Sequence, residues 1–270
     1  QWAVDQGLIK KKSLIEYFFR HYEKLIYRVS DCIGVMSKNN ITVLKDKNQS
    51  LKNVKVLMNW IDNKPLDKKL KSTKFFENLN LKDKVILFYG GNIGNAQDMT
   101  NIMRLAKNLL DTPKAHLLIV GQGDEYNLII KLRNRWNLHN VTILPSISQG
   151  EFRKVLCSID IGLFSLSANH KTHNFPGKVL GYMVESIPIL GSVNPGNDLM
   201  DMVNNSKSGA VHINGEDDLL LNSAKSLIED AKLRRKLGLN AKALLGKYFS
   251  VTAAVDSILK ECLPKLEEYP

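Results

Sequence analysis

The sequence predicts an α/β protein built on a Rossmann-like, doubly wound parallel sheet, and two observations carry this prediction. From Lys84 onward, short apolar segments alternate regularly with segments of helical period. Glycine-containing loops follow several of the apolar segments. Strands that are buried on both faces read as short apolar runs, and the helices between them cover both faces of a parallel sheet.

The alternation predicts each element of this sheet in order. Strands are predicted at residues 85–89, 115–120, 141–144, 161–164, 187–191 and 210–213. Helices are predicted at residues 96–110, 124–136, 149–157, 177–186, 198–204 and 217–228. Two more helices follow at residues 231–247 and 251–266, the second capped by Ser250. In such a sheet, ligands bind beyond the carboxyl ends of the strands.

The residues before Lys84 read as the tail of another domain. They predict a helix at residues 14–29, a strand at 31–36, a helix at 38–46 capped by Ser37, and a strand at 54–58. Two strands are too few for a sheet of usual size. We therefore expect residues 1–62 to be the remnant of an N-terminal domain whose earlier part is missing, as Gln1 in place of Met also suggests. Residues 63–82, rich in Lys and containing Pro65, are the predicted linker.

The charge of the chain narrows the classes of partner. Lys and Arg number 38 against 27 Asp and Glu, a net charge of +11. Such a balance suits nucleic acid, an anionic membrane surface or phosphorylated ligands. The basic residues are scattered, without an Arg-rich run or interleaved aromatics, so we do not expect nucleic acid.

Composition also suggests a compartment. Three cysteines, an odd number without metal-type spacing, argue against a disulfide framework and favour a reducing compartment. No apolar run has the length of ~18 residues that spans a bilayer. We expect a cytoplasmic protein, with peripheral contact to the inner face of the cell membrane as a further hypothesis.

The most informative stretch begins with Phe175-Pro176-Gly177-Lys178. It reads as a loop that opens a short helix immediately before a buried strand. The start of a helix presents unpaired N–H groups and a positive dipole end to an anion. A lysine is mildly disfavoured there, so the position of Lys178 suggests that it faces a phosphate. The alternative is a solvated surface lysine.

Four further loops follow strands. They are Gly90-Gly91-Asn92-Ile93-Gly94, Gly121-Gln122-Gly123, Pro145-Ser146-Ile147-Ser148 and Pro195-Gly196-Asn197-Asp198. The first has three glycines in five positions, which let backbone approach a ligand closely. Each also has a structural interpretation as a tight turn or helix cap. Gly121-Gln122-Gly123 is only half of a dinucleotide fingerprint, because Tyr126 occupies the place of the third glycine.

Taken together, these segments resemble the donor-binding half of a two-domain, GT-B type glycosyltransferase of family 4. The resemblance covers nearly the whole chain and rests on residues 87–94, 118–123, 141–145 and 160–163, and above all on Phe175-Pro176-Gly177-Lys178 with Gly181-Tyr182-Met183 and Ile187-Pro188-Ile189. Gln1-Trp2-Ala3-Val4-Asp5 and residues 175–198 are most similar to a bacterial subgroup that adds N-acetyl-fucosamine during O-antigen or capsule assembly. The resemblance implies a nucleotide-sugar-binding domain at residues 83–248 and a C-terminal crossover helix at 249–270.

The family resemblance also implies an activity. It implies transfer of a sugar from a nucleotide diphosphate, expected to be UDP, to a glycan or polyprenyl-linked acceptor, with retention of anomeric configuration and no cofactor. The sequence has no Asp-x-Asp, which points away from a metal ion. Lys178, assigned a catalytic role, and the amides of residues 177–180 are then expected to stabilise the leaving diphosphate. The expected donor contacts are Gly91, Asn92, Gly94, Ser146, Ile147, Phe175, Pro176, Gly177, Val179, Leu180, Asn197 and Asp198.

Two departures from the family pattern concern the same site. The two family glutamates, eight residues apart, fall on His173 and Gly181. His173 is a catalytic candidate because it can hydrogen-bond a donor-sugar hydroxyl, or else it is a solvated loop histidine. Glu185, one turn along the helix, is the candidate for the ribose hydroxyls. The acceptor site is expected in the missing N-terminal portion, so this chain is expected to bind donor without turnover.

Three other functions stay open on the sequence. A nicotinamide oxidoreductase shares the alternation, but the loop at Gly90 lacks the glycine spacing of that class. A non-catalytic sugar-nucleotide-binding module fits the loss of both family glutamates. A UDP-sugar epimerase is the third and weaker alternative.

Overall fold

A computed structural model describes residue 4 and residues 9–66, 76–77, 79–169 and 173–262. Within these residues, the strands are β1 Ile33–Val35, β2 Val54–Val56, β3 Val85–Asn92, β4 Ala115–Gln122, β5 Val141–Leu144, β6 Ile161–Ser165, β7 Ile189–Val193 and β8 Gly209–Ile213. The helices are α1 Leu14–Val29, α2 Lys38–Lys47, α3 Met99–Asn108, α4 Tyr126–Arg135, α5 Gln149–Leu156, α6 Gly177–Val184, α7 Asp198–Asn205, α8 Asp217–Glu229, α9 Ala231–Tyr248 and α10 Val251–Cys262. The predicted α/β class is confirmed.

The larger sheet has an order that reverses at its centre. Among the described residues, six parallel strands are arranged β5-β4-β3-β6-β7-β8. Renumbered by chain order, this is the doubly wound order 3-2-1-4-5-6, whose halves meet between β3 and β6. Connections leave in opposite directions on the two sides of this point, so a crevice opens beyond the carboxyl ends of β3 and β6.

Local sequence explains most helix starts. The side chains of Ser13, Ser37 and Asp230 accept N–H bonds at the starts of α1, α2 and α9. Ser148 and Glu151 form a reciprocal capping box at α5. Ser250 accepts from the amide of Ala253 in α10, as predicted.

The part before the linker forms a small unit beside the sheet. Strands β1 and β2 pair in parallel, and α10 returns to them through an ion pair between Lys55 and Glu261 with an N···O distance of 3.1 Å. Along α1, the predicted apolar stripe is exposed in the described structure, with Leu14 88% and Phe18 56% accessible. The predicted domain boundaries stay a prediction, and residues 67–75 and 78 of the predicted linker lie outside the described residues.

Strands β3 and β4 run to Asn92 and Gln122, past their predicted ends at residues 89 and 120 and into the predicted glycine loops. Two further predicted elements have wrong boundaries for reasons of backbone geometry. The helix predicted at residues 96–110 is a short 3-10 turn at Asn95–Gln97 followed by α3, because Asp98 has a φ of 46° and interrupts the helix. The strand predicted at residues 187–191 is displaced to Ile189–Val193. Ser186, with a φ of 59°, ends α6, and the next amide bonds back to Tyr182 before the strand begins.

The cysteine prediction needs a correction. Cys32 is disulfide-bonded, whereas Cys157 is half-buried and is not part of a disulfide. Spacing along the chain could not reveal this bond, because folding brings together residues that are distant in sequence. In the part of the chain that the structure describes, no helix combines the length and the apolar character needed to cross a membrane.

Helix α9 packs against the sheet layer at a point where only glycine fits. A Cβ on Gly238 would lie 1.9 Å from the carbonyl oxygen of Ser186. Gly246, on the same helix, has only Asn63 Nδ2 near its Cβ position, at 3.9 Å. The two glycines therefore differ in what a methyl group would meet, although their helical environment is the same.

We expect Gly238→Ala to lower the free energy of unfolding by about 1–3 kcal/mol, because α9 must move away from residue 186. Gly246→Ala is the matched control and should raise it by about 0.5–1 kcal/mol through helix propensity. Urea denaturation of both variants measures the difference. Equal effects at the two positions would contradict this packing.

Candidate functional site

The crevice between β3 and β6 is bordered by residues 90–94, predicted as a glycine-rich loop. We keep that name, although Gly90, Gly91 and Asn92 are the last residues of β3 and pair with β4. Gly91 has a φ of 114°, a backbone conformation that residues other than glycine rarely adopt. The neighbouring strand also needs a glycine, because a Cβ on Gly121 would lie 1.9 Å from the Gly91 carbonyl oxygen. The strands therefore approach closely here, and the turn leaves backbone rather than side chain facing the crevice.

Lys178, in the first turn of α6, reaches under this loop. Its Nζ lies 3.4 Å from the centroid of the Tyr89 ring, and 3.8 Å from the position that a Cβ on Gly91 would occupy. The ammonium is buried and has no hydrogen-bond partner among the described residues. Lys178 is thus not a solvated surface lysine, and the sequence-based alternative of that kind is wrong.

A buried ammonium without an acceptor is energetically costly. Burial lowers the pKa of Lys178 from its ordinary value of 10.5 to about 7. An unsatisfied buried polar group costs roughly 1–3 kcal/mol, and a charged one costs more. An anion in the crevice would supply the missing acceptors and stabilise the protonated amine.

The first turn of α6 is open on its outer side. Pro176 occupies the N-cap and has no side-chain acceptor for the first amides, although the Val179 amide bonds to the Pro176 carbonyl at 3.0 Å. Gly177 is exposed, and with Leu180 it borders a cavity of about 350 Å³ whose other side is residues 59–61. The positive end of the helix therefore faces open space.

Three of the predicted contacts contribute packing with their side chains. Phe175, Val179 and Leu180 are all buried in the core beneath α6. The Phe175 ring packs 6.2 Å from that of Phe249. Any contact of these residues with a ligand must therefore come from their backbone.

His173 stands beside the opposite loop. Its ring Nε2 lies 3.6 Å from the Cβ position of Gly196, and its Nδ1 is buried without a hydrogen-bond partner among the described residues. Its carbonyl oxygen accepts from the side chain of Asn40 at 2.9 Å. His173 is therefore held at the crevice and is not a solvated loop histidine.

The side chains of Asn197 and Asp198 accept backbone N–H bonds at the starts of two helices. Asn197 caps α7 by accepting from the Leu199 amide at 3.1 Å. Asp198 accepts at 3.0 Å from the backbone amide of Asn39, at the start of α2. Their side chains shape the loop next to His173, and their predicted contact with a donor stays a prediction.

The remaining loop residues are tied to one another. Asn92 donates through Nδ2 to Gln97 at 2.8 Å, and Ser146 donates to Gln122 at 3.0 Å across the ends of β5 and β4. Gly94 lies close to the Asp124 carboxylate, which leaves no room for a side chain. Ile147 packs against the core below β5.

Glu185, the candidate for the ribose hydroxyls, lies at the far end of α6. Its carboxylate accepts from the Leu66 amide at 3.0 Å and from the Cys157 thiol at 3.5 Å. It thus anchors the start of the linker. Gly181 leaves space on α6, because a Cβ there would meet only Leu156 Cδ1 at 3.5 Å.

Sequence reasoning missed three residues that hold this site. Tyr89 forms the floor below Lys178, while Asn40 and Asn59 bond the carbonyls of His173 and Phe175. Tyr89 lies in an apolar strand and reads as an ordinary core residue. The two asparagines belong to the small N-terminal unit, and only the fold brings them to this loop.

A larger cavity of about 800 Å³ lies elsewhere, between α2, β2, α7, α9 and α10. It shares only Asp198 with the predicted donor contacts. The crevice at the reversal of strand order is the better candidate, because the buried amine and the glycine loop converge there.

Comparison with known proteins agrees with this architecture. The family model described as glycosyl transferases group 1 matches residues 71–244, which is more than half of the chain. The chain belongs to the glycosyl transferases group 1 family. Residues 71–244 of this group 1 protein include the whole six-stranded sheet, Tyr89, Lys178 and His173, but not Asn40 and Asn59 of the small N-terminal unit.

Individual relatives are distant. A probable glycosyltransferase, WbjE of Pseudomonas aeruginosa, is 22% identical over 207 residues, which are 76% of this chain and 52% of WbjE. The crystal structure of Anabaena HepE in complex with UDP-glucose matches with a TM-score of 0.72 at 16% identity, over 91% of this chain and 66% of HepE. WaaG, a glycosyltransferase involved in lipopolysaccharide biosynthesis, matches with a TM-score of 0.69 at 12% identity, over 95% of this chain and 71% of WaaG.

These matches bear on the fold and on the length of the chain. The likeness to the solved glycosyltransferases confirms the α/β fold of this group 1 protein, with its parallel sheet of six strands among the described residues. The chain spans about half the length of WbjE, at 52%.

We expect Lys178→Met to raise the free energy of unfolding at pH 7, because it removes a buried, unpaired ammonium. With a pKa of about 7 in the folded protein and 10.5 ordinarily, the unfolded chain binds more protons between those values. Wild-type stability therefore rises with pH in that window, by at most about 1.4 kcal/mol per unit. The advantage of Lys178→Met should shrink from pH 7 to pH 9 in urea denaturation.

Lys232→Met, at an exposed position of α9, is the matched control. Its stability should follow the wild type within about 0.5 kcal/mol at each pH. A Lys178→Met advantage that stays constant from pH 7 to pH 9 would mean that the amine is not desolvated as the structure has it.

Proposed function

We propose that residues 83–248 bind the diphosphate of a sugar nucleotide, with UDP as the nucleotide, and that the activity is glycosyl transfer. The observation that carries the proposal is the buried ammonium of Lys178 near Gly91, which has no hydrogen-bond partner in the part of the chain that the structure describes. Membership of the glycosyl transferases group 1 family supports it. HepE, whose crystal structure holds UDP-glucose, has the same fold.

The chemistry follows from the charges of the crevice. When the bond between the sugar and the diphosphate breaks, negative charge grows on the leaving diphosphate. Lys178 and the amides at the start of α6 are fixed donors that can stabilise this charge without reorganising. The proposed role of Lys178 is therefore leaving-group stabilisation, and we propose that transfer proceeds without a metal ion and with retention of anomeric configuration.

The proposed acceptor is a glycan or a polyprenyl-linked sugar in the assembly of bacterial surface polysaccharide. The fold shared with WaaG, a glycosyltransferase involved in lipopolysaccharide biosynthesis, supports this proposal. Family 4 membership and a donor related to N-acetyl-fucosamine are the finer parts of the same proposal. The residues that bind the acceptor are proposed to lie outside residues 83–248.

Peripheral contact with an anionic membrane is a separate part of the proposal. The net charge of +11 supports it, as do Lys10, Lys11 and Lys12 immediately before the exposed apolar residues of α1. Flotation with vesicles containing anionic lipid should show binding that weakens at high salt. Binding that is equally strong with neutral vesicles would contradict an electrostatic contact.

A non-catalytic sugar-nucleotide-binding module is the second candidate. It is favoured by His173 and Gly181, which stand where the family pattern has two glutamates. Such a module would bind UDP-sugars through the same crevice. Assay of glycosyl transfer to a lipid-linked acceptor by the longest form of the protein distinguishes the two, since a module would bind donor and release no UDP.

We expect Lys178→Met to weaken UDP binding roughly 10- to 100-fold, because a hydrogen bond to a charged group contributes about 1.5–3 kcal/mol. Isothermal titration of UDP against the chain at pH 7 measures it. Lys232→Met serves again as the control with an unchanged dissociation constant. Unaltered UDP affinity in Lys178→Met, or binding of NAD without UDP, would contradict the proposal.

His173→Ala should act on the sugar rather than on the nucleotide. If the ring bonds a donor-sugar hydroxyl, the variant should bind UDP-glucose more weakly and UDP equally well, with a loss of roughly 3- to 10-fold for one neutral hydrogen bond. The same titration with both ligands measures this difference. Equal losses for UDP and UDP-glucose would assign His173 to the shape of the loop instead.

A further inference from the structure

Tyr89 connects the two halves of the candidate site through opposite ends of one side chain. The face of its ring lies under the Lys178 ammonium, with 3.4 Å between Nζ and the ring centroid. Its hydroxyl donates at 2.6 Å to the carbonyl oxygen of Asn92, in the glycine-rich loop. The side chain is fully buried, so neither contact is shared with solvent.

The ring face is the electrostatic partner that the structure offers to this amine. Aromatic rings carry negative charge on their faces and attract an ammonium placed over them, most strongly where water is excluded. The Lys178 Nζ has no hydrogen-bond acceptor among the described residues. Without the ring, burial alone would act on the amine and favour its neutral form.

The Tyr89 hydroxyl contacts the end of β3 and not the amine. Asn92 ends β3 directly after Gly91, the residue whose positive φ shapes the turn. A bond from a buried phenol to the Asn92 carbonyl limits movement of that turn. Because the same ring contacts the Lys178 ammonium, the turn and the ammonium keep fixed positions relative to each other.

We propose that Tyr89 is a positioning residue, whose ring keeps the Lys178 ammonium charged and whose hydroxyl holds the Gly91 turn, so that both face the same anion. This inference rests on the proposed function for its ligand, a nucleoside diphosphate. The placement of the ammonium by the ring is a property of the unliganded protein and can be tested separately. The competing explanation is that Tyr89 is a core residue that fills space.

The charged and titratable surroundings of this pair are few. Burial raises the pKa of Tyr89 well above its ordinary value of 10, and Tyr182 and Glu125 raise it further. Tyr89 therefore stays neutral through the physiological range and keeps its proton for the bond to Asn92. Burial is the cause of the lowered pKa of Lys178, without an identified contribution from a charged side chain among the described residues.

The first experiment needs no ligand. Lysine Cε resonances, with Lys178 assigned through Lys178→Arg, report the pH at which the amine titrates. Tyr89→Phe keeps the ring face and should leave the midpoint of Lys178 within about 0.3 units of the wild type. Tyr89→Leu removes the face and should lower the midpoint by about one unit, a tenfold loss of proton affinity.

A shape-preserving variant guards against failure to fold. Pentafluorophenylalanine at position 89 fills nearly the same volume as Tyr89→Phe and reverses the charge of the ring face. It should lower the Lys178 midpoint as Tyr89→Leu does, although its packing resembles that of Tyr89→Phe. An unchanged midpoint in both face-removing variants would overturn the inference and leave Tyr89 a core residue.

The second experiment measures UDP binding by calorimetry between pH 6.5 and pH 8.5. Tyr89→Leu should bind UDP roughly tenfold more weakly than the wild type at pH 8.5, with a smaller deficit at pH 6.5, where the amine is protonated more fully in both proteins. Tyr89→Phe should lose only a few-fold, equally at every pH, through the looser turn. A Tyr89→Leu deficit that does not change with pH would overturn the charge-holding role.

The two experiments separate this inference from the proposed function. If the wild-type chain binds no UDP at any pH, the proposed function fails, while the ligand-free titration still decides whether the Tyr89 ring holds the ammonium. If UDP binds and the midpoint of Lys178 is the same in Tyr89→Leu as in the wild type, the proposed function stands and the role of Tyr89 is overturned.

Discussion

The site depends on one physical constraint, the burial of a lysine ammonium at the reversal of strand order, where no described residue gives it an acidic partner. Lys178 reaches from the start of α6 to the ring of Tyr89, beneath the turn at Gly91. Proteins seldom bury a charge without pairing it, because desolvation disfavours the charged form. An anion beside Nζ would therefore stabilise the charged form that burial disfavours.

The rest of the architecture keeps this amine in place. The strand order brings the end of β3 next to β6, and the α6 helix starts above that junction. At the other end of α6, Lys242 donates to the Val184 carbonyl at 3.0 Å and Glu185 accepts from Leu66. The C-terminal end of the helix is thus tied to neighbouring elements, and just before its start Asn59 donates to the Phe175 carbonyl at 3.4 Å.

The sequence predicted the fold class well, while the site residues stay a prediction. Periodicity located the strands because it is a local signal, and the position of Lys178 at a helix start singled out that lysine for the same reason. Asp98 and Ser186 adopt positive φ values that local pattern does not reveal, so two boundaries were wrong. The bond from Asn39 to Asp198 joins residues 159 positions apart, and the ring under Lys178 lies on another strand, so neither contact leaves a sequence signal.

The Lys178 amine is proposed to contact the diphosphate of UDP when the crevice is filled. The most direct measurement is the titration of Lys178 by lysine Cε resonance with and without saturating UDP. The diphosphate should raise the midpoint from about 7 by one unit or more, since an opposite charge within hydrogen-bonding distance shifts a pKa by about 1–3 units. A midpoint that UDP leaves unchanged would contradict the account.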